Sequence, residues 1–250
     1  MATALPKYLY KYRPVDIHTI RLIVQSEAYF PSPLDFNDPF DCKANVKIDS
    51  TPEELDTFLR TLMSPIPPNI DTLVKKYSAD NLAYSILAEK IEEVRIEQLG
   101  TTGVYCLSEV NDSVLMFSHY ANGHRGVCLQ FTQTGSEFFD LKLQVKYKPG
   151  FQAVSLGQLQ KPASSLVEAW LAYKSADWEY EKEWRIVKLN VARKTVPFPA
   201  GVLSGVIFGC EMANKDKELV RSLVAGRSPV VGIFEARKAT DHYRLNIGPA

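Results

Sequence analysis

The side chains best suited to chemistry gather in Leu115 to Phe131, LMFSHYANGHRGVCLQF, where two of the chain's four histidines stand with a serine, a tyrosine and an arginine between two apolar runs. Ser118, His119 and Tyr120 close a helical segment, Asn122-Gly123 supplies a turn, and His124-Arg125 lead into the strand-like Gly126-Val127-Cys128-Leu129. Imidazole exchanges protons near neutral pH, and a helix-to-strand junction is where loops on a rigid scaffold carry function. This junction is the first candidate site, with His119 in a catalytic role and Ser118, Tyr120, His124 and Arg125 as substrate contacts. A plainer reading makes each histidine a hydrogen-bonded core residue.

Three other polar clusters accompany it: Tyr12-Arg13, the Asn37-Asp38-Asp41 loop, and Glu181-Lys182-Glu183-Trp184-Arg185. Residues two apart on a strand share a face, so Glu183 and Arg185 either present a carboxylate and a guanidinium to a sugar or phosphate, or satisfy one another. Glu181 joins them if the strand begins that early. Asn37 and Asp38, beside Pro39, suit a rigid turn as well as a ligand contact. The loop lacks EF-hand spacing, and His119 and His124 are five apart rather than the four that stacks two ligands on a helix face, so no metal site is expected. Cys42, Cys106, Cys128 and Cys210 form no closely spaced pair and read as structural thiols. P-loop, GxGxxG, GxSxG and kinase signatures do not occur.

These clusters need elements to position them. At 250 residues, 46% hydrophobic and 23% charged, the chain suits one large domain, 1–250, with a substantial core. Lysine plus arginine balances aspartate plus glutamate at 29 each, so no global field draws in nucleic acid or anionic lipid. No apolar run approaches the roughly 18 residues of a membrane span, and the N-terminus has no secretory pattern; no membrane association and a cytoplasmic location are expected. Tyr8 to Arg13 reads as a strand ended by Pro14, and Ile17, Ile20, Ile23 and Val24 outline a first helix. Tyr29-Phe30 follows as a short strand, and Cys42, Ala44, Val46 and Ile48 alternate as another. Ser50 to about Met63 and Asp71 to Gln98 read as helical. The second region has Leu82, Ile86, Ile91, Val94 and Ile96 on its buried face and a solvated charge run from Glu89 to Glu97. From Thr102 the texture changes to short runs rich in β-branched and aromatic residues: GVYCLSE, GVCLQF, LQVKY, WRIVKL, GVIFG, VVGIFEA and YRLNI. Helices interrupt them at Ser113 to Ala121, Ser164 to Lys174 and Asn214 to Ala225. The pattern predicts an α+β fold, with a mixed β-sheet in the C-terminal part and a helical insertion at about 50–100.

The ordered motifs YKYRP, YFPSPLDFNDPFDC, GVYCLSE, LMFSHYANGHRGVCLQF, YEKEWRIV and GVIFGC resemble a widespread bacterial family known only as a domain of unknown function, with members near mobile and defence-type genes. The likeness covers nearly the whole chain. It departs from the family at Phe117, where tryptophan is usual, and at Pro31, where serine is usual. A weaker similarity, to ADP-ribosyltransferases, maps their arginine, serine and glutamate series onto Arg13, Ser32 and Glu181-Lys182-Glu183. That similarity implies NAD as cofactor, with Arg13 on the dinucleotide phosphates, Ser32 at the nicotinamide ribose and the second glutamate stabilising an oxocarbenium-like transition state. The long insertion between Ser32 and Glu181 departs from that superfamily's compact spacing. Together the readings predict an enzyme acting on a nucleotide or nucleic-acid substrate in a phage-defence or toxin setting, with Glu183 and Arg185 beside His119 at its centre. The alternative is a non-catalytic domain that senses a ligand or partner with the same polar pocket.

Overall fold

The computed structural model describes residues 6–45, 82–133, 136–153 and 163–250, with isolated positions between 51 and 72. Where a helix is expected from Ser50 to about Met63 the described positions Glu53, Thr57 and Arg60 are helical, and so are Asp71 and Thr72 where the next is expected to start; the rest of both stretches, and the continuation of the 42–48 strand past Asn45, lie outside the described residues. In chain order the first half contains β1 (Tyr8–Arg13), α1 (Ile17–Gln25), β2 (Glu27–Phe30), β3 (Ala44–Asn45), α2 (Leu82–Thr101), β4 (Gly103–Ser108), α3 (Val114–Tyr120) and β5 (Val127–Thr132). The second half contains β6 (Lys142–Gln144), β7 (Lys146–Lys148), β8 (Gln152–Ala153), α4 (Ala163–Leu171), β9 (Tyr173–Ser175), β10 (Glu183–Lys188), β11 (Lys194–Pro197), β12 (Leu203–Phe208), α5 (Asn214–Ala225), β13 (Gly232–Lys238) and β14 (Leu245–Pro249).

These elements fall into two compact units. The first comprises Met1–Ser32, Thr102–Val145 and Asp177–Ala250, and is built on an eight-stranded sheet of order β14-β13-β12-β5-β1-β4-β10-β6. All neighbours are antiparallel except β12 and β13, which run parallel because α5 carries the chain back between them. The fold is α+β with a large mixed sheet. That sheet is not confined to the C-terminal part: β1, from the N-terminus, lies in its middle. Leu9, Tyr10 and Tyr12 are all buried there, as a strand covered on both faces requires.

Register sorts the first unit's residues into two layers. Leu9, Tyr105, Leu107, Leu129, Phe131, Trp184, Ile186 and Val206 belong to a core with Leu22 and Ile23 of α1 and Val220 and Val224 of α5. The opposite face carries Tyr10, Tyr12, Cys128 and Ile207, covered by Met116 and Phe117 of α3 and by Ala236 and Leu245. Tyr10 pairs with Ser108 and Ser108 with Glu183, so Glu183 and Arg185 share this second face. Helix α1 sits differently from its apolar pattern. Thr19, Leu22 and Ile23 are buried, while Ile17 and Val24 are more than half exposed. The N-cap turns it, because the Thr19 hydroxyl donates to the Pro14 carbonyl at 2.7 Å and draws that side inward.

The second unit comprises Pro33–Thr101 and Lys146–Ala176. In it β3 pairs with β8 and β7 with β9, both in parallel. The run LQVKY therefore divides at buried Val145 between β6 and β7, and the helix expected to reach Lys174 stops at Leu171 so that Tyr173–Ser175 can pair. The inner face of α2 is Ile91, Arg95 and Leu99, spaced by four, whereas Val94 and Ile96 are exposed. Arg95 belongs to no solvated charge run: it is 7% exposed, pairs with Glu92 at 2.6 Å and donates to the Cys42 carbonyl at 3.3 Å.

Candidate functional site

The end of β4 builds the polar centre of the first unit. Ser108, fully buried, donates its hydroxyl to the Glu181 carbonyl at 2.5 Å, and the Glu109 N–H donates to the Lys182 carbonyl at 3.1 Å. These bonds hold a corner where a 3-10 turn over Ala176–Glu181 gives way to β10. Lys182 has a φ of +43°, a left-handed conformation costly for a side-chain-bearing residue, which lets the chain turn abruptly between the two glutamates. The strand thus begins at Glu183 rather than at Glu181. Glu181 reaches the same neighbourhood from the turn instead.

Glu183 and Arg185 form a buried fork. The guanidinium donates through Nε to Oε1 at 2.8 Å and through Nη2 to Oε2 at 3.2 Å, with side chains 4% and 0% exposed. Both ions are shielded from water, so their mutual attraction is stronger than that of a surface pair. Cys106, opposite Arg185 on β4, is affected too: burial, and then the Glu183 carboxylate, push its thiol well above the usual range.

Tyr120 links this floor to α3. Its hydroxyl donates to Glu181 Oε1 at 2.6 Å, so the last residue of the helix is tied to a carboxylate 61 positions away. The helix itself starts at Ser113, whose hydroxyl accepts from the Met116 N–H at 3.2 Å, and sits with Phe117 edge-on to Tyr12 at 4.9 Å. Exposed His119 lies 6.2 Å from the Tyr120 ring and 6.5 Å from the Tyr180 ring, and Trp178 stands 6.0 Å from Tyr180. Four partly or fully accessible rings thus adjoin a buried floor of two carboxylates and one guanidinium. Ser108, Trp178 and Tyr180 escape sequence reasoning; the alternation of rings and acids in DWEYEKEW is the signal that could have found the last two.

The junction that anchors the sequence reading divides in two. Tyr120 and the neighbouring His119 belong with Glu181, but His124 and Arg125 do not; Ser118 is exposed, and its carbonyl accepts from the Gly123 N–H at 3.2 Å. His124, at φ +67°, stacks on Phe117 at 5.9 Å with its Nδ1 3.7 Å from Cys210 Sγ, and it shares an electrostatic neighbourhood with Glu211 and Lys238. Burial lowers the His124 pKa, with Glu211 opposing. This second group sits where β5 meets β12, and β5 is three strand spacings, about 14 Å, from β10. Backbone contact fixes it there. The Gly209 N–H donates to the Gly126 carbonyl at 2.9 Å and the Glu211 N–H to the His124 carbonyl at 3.0 Å, and a Cβ on Gly209 would meet His124 O at 2.1 Å.

Arg13, Ser32 and Glu183 do not converge. Arg13 projects from the opposite face of β1 to Tyr12, and so from the opposite face of the sheet to Glu183. It donates to Thr19 Oγ1 at 2.9 Å and pairs with Asp16 at 3.1 Å, locking the N-cap of α1. Ser32 is fully buried beyond β2. Tyr12 is 4% exposed; its hydroxyl donates to the Val110 carbonyl at 2.8 Å, and burial pushes the phenol above its ordinary pKa. Arg13 and Tyr12 therefore have structural surroundings, and the arginine and glutamate of the arginine–serine–glutamate series stand on opposite faces of the sheet. Asn37 and Asp38 lie in the second unit, where Asp38 accepts from the Phe40 N–H at 2.8 Å in a local turn, as an Asx residue beside proline can. There Asp41 pairs with Lys174 at 3.6 Å.

Among the described residues no group of three or more histidine, cysteine or carboxylate side chains is placed to hold a metal ion, all four cysteines are free thiols, and no helix is long and apolar enough to cross a membrane. No curated protein and no solved structure matches the chain. One family does, over residues 116–186, a span that opens inside α3, closes inside β10 and contains Tyr120, Glu181, Glu183 and Arg185. In the span that carries this polar centre, the chain is therefore similar to the family described as Protein of unknown function (DUF2971).

Proposed function

We propose that the first unit binds a nucleotide or a nucleotide of a nucleic acid at the α3–β10 corner. The supporting observation is the Tyr120 to Glu181 hydrogen bond, which assembles accessible rings beside buried carboxylates. A base has π-faces for His119 and Tyr180, and a ribose has hydroxyls for Glu181 and the Tyr120 phenol. Glu183, fixed by Arg185, supplies a charge that needs no reorganisation when a ligand arrives. In this reading Arg13 and Ser32 are not ligands, and an NAD-using transferase built on them is replaced by a site confined to Ser118–Tyr120 and Trp178–Arg185. The defence or toxin setting implied by the family resemblance fits an enzyme that consumes nucleotides or modifies nucleic acid.

The mutual satisfaction of Glu183 and Arg185 favours a second reading, in which the same pocket senses a ligand without turning it over. One set of measurements separates the two. Purified protein is titrated with ATP, NAD and short single-stranded DNA and RNA while binding is followed by calorimetry, and each mixture is then analysed for products. Binding is expected to weaken about tenfold or more in His119→Ala and Tyr180→Ala, as loss of a stacking ring costs roughly 1–3 kcal/mol. Product formation identifies an enzyme; saturable binding without product identifies a sensor. Absence of binding to the whole panel, or binding indifferent to both variants, ends the nucleotide reading.

A further inference from the structure

The centre of the sheet has an open seam. Strand β1 pairs with β5 along its whole length, from Tyr8 opposite Thr132 to Arg13 opposite Val127, but it meets β4 at a single bridge, Tyr10 opposite Ser108. Past that bridge a side chain takes over from the ladder: Lys11 donates from Nζ to the Cys106 carbonyl at 2.8 Å. The same ammonium stands 5.0 Å from the centroid of the Tyr105 ring. Among the described residues it makes no other hydrogen bond, and no carboxylate lies within ion-pair distance of it. An ammonium carries three donors, so two are left over.

A second observation points to the same place. Tyr105 is 1% exposed and its hydroxyl has no hydrogen-bond partner. Buried hydroxyls are nearly always satisfied, and one that is not signals a missing group. Register puts Lys11 and Tyr105 on the same face of the sheet, with Arg13 two residues along β1 on that face and already engaged by Asp16. The seam therefore combines a cation with no carboxylate in contact, which Glu183 and Glu181 attract only from a distance, and a buried donor without an acceptor. Burial lowers the proton affinity of Lys11, a penalty that a bound anion would offset.

We propose that Lys11 and the Tyr105 hydroxyl form a binding site for a phosphate group at the seam between β1 and β4. The leftover N–H groups and the phenol O–H donate to phosphate oxygens. The site lies on the face opposite Glu183 and does not rest on the function proposed above.

The test follows Lys11 in the wild-type protein. Lysines are acetylated with acetic anhydride in sodium chloride or in inorganic phosphate at matched ionic strength, and the rate at each position is read by mass spectrometry. At phosphate ten times its Kd, Lys11 is expected to react about tenfold more slowly while surface lysines are unchanged. Adenosine monophosphate serves as a second probe. Protection at lower concentration than inorganic phosphate assigns the site to a nucleotide's phosphoryl group, and equal protection assigns it to free phosphate. In thermal unfolding, phosphate should raise the wild-type Tm, Tyr105→Phe should weaken the effect and Lys11→Met should abolish it. Equal Lys11 acetylation with and without both probes would overturn the proposal even if Lys11→Met does not fold, as would a folded Lys11→Met protein with the full phosphate effect.

Discussion

Neutralising Glu183 separates a carboxylate that holds the sheet together from one held in reserve for chemistry. The Glu183 side chain is 4% exposed, that of Arg185 is 0% exposed, and two hydrogen bonds of 2.8 and 3.2 Å join them. In Glu183→Gln the shape survives but the buried guanidinium loses the carboxylate that two of its N–H groups bind, a broken buried pair of the kind that costs roughly 3–5 kcal/mol. For a chain of this size each kcal/mol moves the midpoint by about 2–4 °C, so Tm should fall by about 6–20 °C. Arg185→Met should cost a comparable amount by stranding the carboxylate. Because the two changes share this interaction, the double variant should lose less than the sum of the singles, by about 1–3 kcal/mol. Thermal unfolding followed by circular dichroism, with urea titration as a second measure, gives all four stabilities. A Glu183→Gln protein melting within about 2 °C of wild type, with additive singles, would refute the reasoning. If that stable protein had also lost turnover of its ligand, the carboxylate would be catalytic.

Other outcomes follow from single contacts. Tyr120→Phe removes one hydrogen bond to a carboxylate and should cost about 1.5–3 kcal/mol in urea unfolding, while weakening any ligand held at Glu181. Burial raises the Asp16 pKa, but the Thr19 N–H and Arg13 outweigh it and hold the carboxyl below its usual value. A depressed folded pKa contributes stability above the unfolded value of about 3.9 and loses it as pH falls through the folded one. Asp16→Asn should therefore flatten the acid limb of a stability-versus-pH curve below about pH 4 and leave nucleotide binding at neutral pH unchanged. A Cβ on Gly126 would lie 2.2 Å from the Arg13 carbonyl, backbone that cannot move aside, whereas one on Gly150 would meet nothing within 4 Å. Gly126→Ala should destabilise by about 1–3 kcal/mol or more and Gly150→Ala should be near neutral, as compared by Tm.

The sequence carried the local facts of this protein because they depend on near neighbours. Alternation and β-branching marked the strands, with β1 over Tyr8–Arg13 and β4 over Gly103–Ser108, and Asn214–Ala225 matches α5 at both ends. The spacing of two placed Glu183 and Arg185 on one face because a strand alternates with period two. What could not be read was which face met which partner. The Glu183 face is set by Tyr10, Ser108 and Glu183 aligning across three strands far apart in sequence, and that same alignment sends Arg13 to the other side. Tyr120 and Glu181 meet only because Lys182 adopts a left-handed backbone and Ser108 clasps the Glu181 carbonyl. His119 and His124, five residues apart, end in different neighbourhoods because close backbone contacts at Gly126 and Gly209 bind the second to the β12 loop. Lys11 looked like one more residue of an aromatic strand until the missing ladder between β1 and β4 gave it a seam to fill. Periodicity is a property of a segment, whereas a site is a property of register between segments, and long-range backbone hydrogen bonds set that register.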